Sequence, residues 1–181
     1  MAVRFVAAGT CARILLAPVV MALVLAGSDA EVPAALLFAF AAATDYWDGR
    51  LARRWNITTT LGSFLDTTAD KLLAAGVLIA LVGVERVSPW IAAIIIGREL
   101  LILGLRGVVA AEGTVFPPSI WGKLKTNAQF IAIFLAILRL GGPLGPLRVD
   151  EWAMIAAAAI TVASAVEYLA RFSSAFSNDV R

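Results

Sequence analysis

The chain has no histidine and a single cysteine, Cys11, and only 15% of its 181 residues are charged. Each shortage excludes something. Without imidazole and with one thiol, the nitrogen and sulfur donors that zinc and copper sites favour are missing. One cysteine cannot form a disulfide within the chain, so Cys11 reads as a small packing residue. Fifteen Lys and Arg against thirteen Asp and Glu leave a formal net charge of only +2. No aromatic-basic module accompanies them, so nucleic acid is not an expected partner. Low-complexity tracts and internal repeats are also missing.

What is present in excess is apolar sequence. Hydrophobic residues make up 61% of the chain and the mean hydropathy is +0.88, beyond the range of an ordinary soluble domain. The expectation is an all-α, polytopic integral membrane protein with six transmembrane helices in a single domain over residues 1–181, since about six spans of roughly 20 residues fill this length. Apolar stretches fall at 12–27, 32–47, 68–84, 90–111, 119–140 and 150–170. Turn signals separate several of them: Gly27-Ser28-Asp29, Val87-Ser88-Pro89, Phe116-Pro117-Pro118 and Gly141-Gly142-Pro143. The first run is read as retained, because no cleavage region follows it. Trp47, Trp55, Trp90, Trp121 and Trp152 lie near expected helix ends and suit interfacial anchoring.

Twelve of the fifteen basic residues fall on the N-terminal side of this arrangement, leaving Arg86, Arg139 and Arg148 opposite. The positive-inside rule then puts both termini in the cytosol, in a plasma membrane, with a polar cavity opening to that face. An anionic substrate would favour the same asymmetry.

Against this apolar background stand two pairs of aspartates, Asp45 and Asp48, then Asp66 and Asp70. Ionised carboxylates at membrane depth are costly unless paired or metal-bound. At about 100° per residue, Asp45, Asp48, Gly49, Ala52 and Arg53 share an arc of roughly 140° on a helix. If the segment from Gly62 is helical, Gly62, Asp66 and Asp70 follow within roughly 80°. Two helices could therefore present four carboxylates to one cavity. Unscreened, those charges would repel; oxygen-only ligands suit Mg²⁺ or Mn²⁺, and two such ions would cancel them. The alternative is a solvated loop in which the acids neutralise Arg50, Arg53, Arg54 and Lys71, but ion pairs do not require the intervening glycines and alanine.

The run Asp45-x-x-Asp48-Gly49-x-x-Ala52-Arg53, followed after eight residues by Gly62-x-x-x-Asp66-x-x-x-Asp70, resembles the complete signature of the CDP-alcohol phosphatidyltransferases. That resemblance implies a six-helix membrane enzyme, a homodimer, that moves a phosphatidyl group from a CDP-linked donor to an alcohol and releases CMP. It implies Asp45, Asp48, Asp66 and Asp70 as metal ligands, with Asp70 also the general base. Thr44, Gly49, Ala52, Arg53 and Gly62 would meet the nucleotide donor. A family stretch Asn-x-Leu-Thr-x-x-Arg survives here only as Thr10 and Arg13, with Ala7 and Gly9 in the first positions; Thr10 and Arg13 are the remaining donor-site candidates.

In the second half, Arg98-Glu99, Arg106 and Gly122-Lys123-Leu124-Lys125-Thr126-Asn127-Ala128-Gln129 resemble the phosphatidylglycerophosphate synthase branch, as does Ala69-Asp70-Lys71. Thr67 and Leu103 depart from its common proline and serine. The implied substrates are CDP-diacylglycerol and glycerol 3-phosphate, with Arg98, Arg106, Lys123 and Lys125 around the acceptor phosphate and Glu99 orienting a cation. Snorkelling to lipid phosphates is the competing use of those cations. Inositol phosphate or phosphatidylglycerol as acceptor, or an ion or divalent-metal transporter, are the alternatives. Glu167 and Arg171 read as an ion pair near a helix end.

Overall fold

The structure is a computed structural model that describes residues 2–54, 60–111 and 120–177, with side chains described for 9–44, 62, 65, 67–110 and 120–173. Six long helices account for nearly all of it: α1 (Ala2–Leu25), α2 (Glu31–Arg54), α3 (Thr60–Gly83), α4 (Pro89–Ala111), α5 (Ile120–Leu138) and α6 (Val149–Ser177). A single 3-10 turn, Ser28–Ala30, precedes α2, and a two-residue antiparallel ladder, β1 (Pro143–Leu144) with β2 (Leu147–Arg148), precedes α6. The all-α expectation holds for the described residues. Four helices outrun their apolar stretches by several residues: α1 begins at Ala2, α2 continues to Arg54, α3 begins at Thr60 and α6 continues to Ser177. Hydropathy detects only the apolar part of a helix, whereas alanine, arginine and leucine extend it at little cost in propensity. Both aspartate motifs consequently lie on helical backbone.

Local chemistry sets the ends. Pro89 opens α4, where its missing N–H costs nothing, and the Ser88 carbonyl accepts the Ala92 N–H at 3.1 Å. At α6 the Glu151 side chain reaches back to the Arg148 backbone N–H at 2.7 Å, one half of a capping box. α3 and α5 terminate alike: Arg86 N–H bonds to the Leu81 carbonyl and Leu140 N–H to the Leu135 carbonyl, with Glu85 (φ 59°) and Arg139 (φ 48°) in the left-handed region. These are Schellman closures with a charged residue where glycine is usual. Gly141, at φ +100°, is required as glycine, because a Cβ there would lie 2.6 Å from Val149 Cβ.

α1 packs along α3 and α2, while α5 and α6 form the other extensive pair. The core between them includes Val20, Leu73, Val77, Leu78, Ile133, Ile137 and Met154, and Phe38 of α2 stacks on Phe130 of α5 at 5.4 Å. Apolar residues also cover the outside. Leu15, Leu36, Phe40, Ile79, Leu100, Ile131 and Val166 are each more than half exposed. Among the described residues one helix segment, Val149–Ser173, is long and apolar enough to cross a membrane by itself, and Gly9–Leu25 is a shorter apolar helix. Aspartates, lysines and arginines placed along α3, α4 and α5 lower their apolar content.

The connections after α1, α3 and α5 meet at one end of the bundle. There Arg86 pairs with Glu31 at the start of α2 and donates from Nη1 to the Ile137 carbonyl at 2.6 Å. Arg148 donates to the Arg139 carbonyl at 2.6 Å and to Asp150 at 3.3 Å, and the Trp152 indole N–H bonds to the Leu144 carbonyl at 3.0 Å. The expected turns at Gly27 and Gly141 lie here, and that at Phe116-Pro117-Pro118 lies outside the described residues.

Candidate active site

Asp45 and Asp48 lie on α2 and Asp66 and Asp70 on α3, but of the four only the Asp70 side chain is described. Backbone position alone is informative. Counted along the axis from the helix ends that flank residues 55–59, Asp48 and Asp66 each lie about 9 Å in, while Asp45 and Asp70 lie about 14 and 15 Å in. Measured this way, the acids fall at two similar depths, each along its own helix. Asp70 is half-buried, with Oδ1 shielded from solvent. Gly49, Ala52 and Arg53 share α2 with the first pair, and their side-chain surroundings lie outside the described residues. Gly62 stands in the first turn of α3, half-buried.

One residue beyond Asp70, Lys71 begins a cluster that ties four helices together. Its ammonium pairs with Glu99 of α4, and so does that of Lys125 from α5. Arg98, beside Glu99, donates from Nη1 to Glu99 Oε1 at 3.2 Å and from Nη2 to Ser164 Oγ of α6 at 2.6 Å. Glu99, Lys125 and Ser164 are buried, and the Arg98 side chain is 10% exposed. Among the described residues, three cations share one carboxylate. Such a group is held inside the bundle by burial, Glu99 being 9% and Lys125 5% exposed. Snorkelling does not account for side chains held there, since it places charged heads in water at a helix end. The alternative in which Lys71 serves only to neutralise the aspartates in a loop is also disfavoured, because Lys71 is helical and engages Glu99.

The other expected residues divide. Arg106 and Lys123 are exposed and are not brought to the Glu99 cluster. Thr44 turns its hydroxyl back onto its own helix, donating to the Ala41 carbonyl at 2.8 Å. Thr10 and Arg13 are buried in α1, Arg13 completely, on the helix that packs along α3. Glu167 and Arg171 form the expected pair. Ser164 was not expected. The signal for it is faint: two hydroxyls three residues apart, Thr161 and Ser164, in an alanine-rich helix.

A groove of about 630 Å³ lies at the far end, lined in part by Val82, Arg86, Ile91, Glu151 and Met154. Its Arg86 and Glu151 already serve structural contacts with Glu31, the Ile137 carbonyl and the Arg148 N–H. The charged chemistry is therefore in the other half of the bundle.

Comparison with known proteins bears on the same residues. The family model described as CDP-alcohol phosphatidyltransferase matches residues 7–163, which include both aspartate pairs and Arg98 through Lys125. The chain is 38% identical over 176 residues to the CDP-diacylglycerol--glycerol-3-phosphate 3-phosphatidyltransferase of Bacillus subtilis (strain 168), covering 90% of this chain and 91% of that protein. It is 41% identical over 166 residues to a probable phosphatidylglycerophosphate synthase of Mycobacterium tuberculosis (strain H37Rv), covering 90% and 78% respectively. A CDP-diacylglycerol--glycerol-3-phosphate 3-phosphatidyltransferase of Pectobacterium atrosepticum is 42% identical over 144 residues, or 75% of each chain.

Proposed function

The chain belongs to the CDP-alcohol phosphatidyltransferase family, and we propose that it transfers the phosphatidyl group of CDP-diacylglycerol to glycerol 3-phosphate, giving phosphatidylglycerophosphate and CMP. The observation that carries the acceptor assignment is the gathering of Lys71, Arg98 and Lys125 around Glu99, next in sequence to Asp70. Three cations against one carboxylate favour an anionic ligand, and a phosphomonoester matches them through charge-assisted hydrogen bonds.

The reaction is an in-line displacement. The acceptor hydroxyl oxygen bonds to the phosphorus of the phosphatidyl group, the bond to the bridging oxygen breaks, and CMP leaves with that oxygen. Asp70 accepts the hydroxyl proton; Arg98 and Lys125 hold the acceptor phosphate so that the hydroxyl at the other end of this three-carbon molecule lies toward Asp70. Arg53 grips a donor phosphate, and Gly49 and Ala52 leave room for the nucleotide beside α2. Thr10, Arg13, Thr44 and Gly62 complete the donor side. Asp45, Asp48, Asp66 and Asp70 would hold divalent ions, because an all-carboxylate set suits Mg²⁺ or Mn²⁺. When bound, such ions offset the diphosphate charge and stabilise the departing CMP.

In this reading the six helices cross the bacterial plasma membrane as one domain, with both termini and the aspartates at the cytosolic face. The apolar side chains exposed on all six helices support it, since a helix apolar on its outer face needs lipid or protein cover. Homodimerisation, implied by the resemblance, is checked by the mass of the detergent-solubilised protein. The function is tested by CMP release from purified protein with CDP-diacylglycerol, Mg²⁺ and a panel of acceptors. Glycerol 3-phosphate is expected to support the fastest release. Faster release with inositol phosphate or phosphatidylglycerol would reassign the acceptor, and no release with any acceptor would contradict the reading.

A further inference from the structure

α6 carries two buried hydroxyls in an alanine-rich, otherwise apolar run, and both are engaged. Thr161 Oγ accepts a hydrogen bond from Gln129 Nε2 of α5 at 2.8 Å and donates to the Ala157 carbonyl at 2.6 Å. Ser164 Oγ accepts from Arg98 Nη2 of α4 at 2.6 Å. Three residues apart, the two are neighbours on one helix face. Among the described residues, α4 and α5 scarcely meet along their backbones, yet each packs along α6. The relative placement of the cations on α4 and α5 is therefore set through α6 as well as through α3 and the direct Glu99–Lys125 pair.

Arg98 is where this matters. Glu99 holds its Nη1 and Ser164 its Nη2, while Nε is shielded from solvent and has no hydrogen-bond partner among the described residues. Buried N–H donors are rarely left this way in a settled structural network. The side chain is nine-tenths buried, so water does not readily take the missing role. Alanine at 164 would cost less to bury than a hydroxyl and would match its surroundings. A serine there requires a polar reason.

We infer that Ser164 is a positioning residue: with Glu99 it fixes the Arg98 guanidinium by its two terminal nitrogens and reserves the Nε–H for a phosphate oxygen of the acceptor. Ser164 itself touches no substrate. Fixing the guanidinium beforehand removes ordering cost from acceptor binding, so the residue acts on acceptor affinity more than on the chemical step. This rests on the acceptor assignment made above.

The test is steady-state CMP release by the purified full-length protein in detergent with Mg²⁺, varying each substrate in turn. Four variants are compared with the wild type: Ser164→Ala, Ser164→Thr, Arg98→Ala and the Ser164→Ala/Arg98→Ala double. Ser164→Ala is expected to raise the KM for glycerol 3-phosphate about five- to tenfold, with a smaller fall in kcat and less than about a twofold change in the KM for CDP-diacylglycerol. Ser164→Thr keeps the hydroxyl and stays within about threefold of wild type, and the double variant is no worse than Arg98→Ala alone. An unchanged acceptor KM in Ser164→Ala, equal damage from alanine and threonine, or additive loss in the double variant would overturn the inference while leaving the acceptor assignment standing. An unchanged acceptor KM in Arg98→Ala would instead remove the assignment itself, and the inference with it.

Discussion

At the end of the bundle where the connections after α1, α3 and α5 meet, Arg86 is matched by Glu31 and a helix-terminal carbonyl, and Arg148 by Asp150 and another carbonyl. In the half toward the aspartates, Lys71, Arg98 and Lys125 converge on Glu99 alone among the described residues. The same residue types do different work in the two places. Cations matched by acids and by orphaned helix carbonyls close a fold; cations in excess, held largely out of solvent, are a standing cost that a structural role does not require. Such an excess is best explained by a ligand that brings negative charge.

That contrast can be broken most severely at the acids. Asp70→Asn is expected to reduce turnover about 10²- to 10⁴-fold, the usual range for a general base, while donor binding persists. Single-turnover CMP release after adding glycerol 3-phosphate to the donor-loaded variant is the measurement; release at the wild-type rate would give the proton to another group. Asp45→Asn, Asp48→Asn and Asp66→Asn should differ by weakening donor binding as well, with chelator abolishing wild-type activity and Mg²⁺ or Mn²⁺ restoring it. Full activity after exhaustive metal removal would contradict the assignment of these carboxylates.

Next comes the hub. Glu99→Gln leaves the buried Lys125 and the partly buried Lys71 and Arg98 with no carboxylate among the described residues, and breaking a buried pair such as Lys125–Glu99 costs about 3 to 5 kcal/mol. Thermal unfolding in detergent should show a large drop, partly reversed by millimolar phosphate if the cations then take an external anion. An unaltered melting temperature would show that the cluster does not hold the helices together.

At the closed end the effects are smaller and confined to stability. Gly141→Ala places a Cβ against Val149 on left-handed backbone, at a cost of about 1 to 3 kcal/mol. Both KM values should stay at wild-type level. Glu85→Gly relieves a left-handed non-glycine residue and should stabilise by no more than about 1 kcal/mol. Loss of stability in Glu85→Gly would mean that this carboxylate does more than terminate α3.

The helices were legible in the sequence as long apolar runs, and the four aspartates stood out as a candidate site because charge inside such sequence is expensive. Arg98, Glu99 and Lys125 followed instead from the family resemblance of the second half of the chain. The resemblance implied Arg106 beside Arg98, and eight residues do return to within about 80° on a helix, but they also advance about 12 Å along the axis and carry it out of the cluster. Lys123 and Lys125 are only two residues apart in sequence but about 200° apart round α5, so only one of them can face inward. Ser164 gave little sequence signal, because serine in an alanine-rich helix is unremarkable until its hydroxyl is seen against Arg98. The hydropathic runs understated α2 and α3, whose polar ends carry the signature.

The central claim is that the excess cations bind the acceptor's phosphate, whereas the matched cations of the closed end only support the fold. Parallel measurement of both KM values in Arg98→Ala, Lys125→Ala and Arg86→Ala, below each variant's melting temperature, tests it most directly. The expected result is a rise of about ten- to a hundredfold in the KM for glycerol 3-phosphate in the first two, from loss of a charge-assisted contact worth about 1.5 to 3 kcal/mol, with little change for CDP-diacylglycerol. Arg86→Ala should lower the melting temperature and leave both KM values within about twofold of wild type. Equal changes in both KM values across all three variants would contradict the claim.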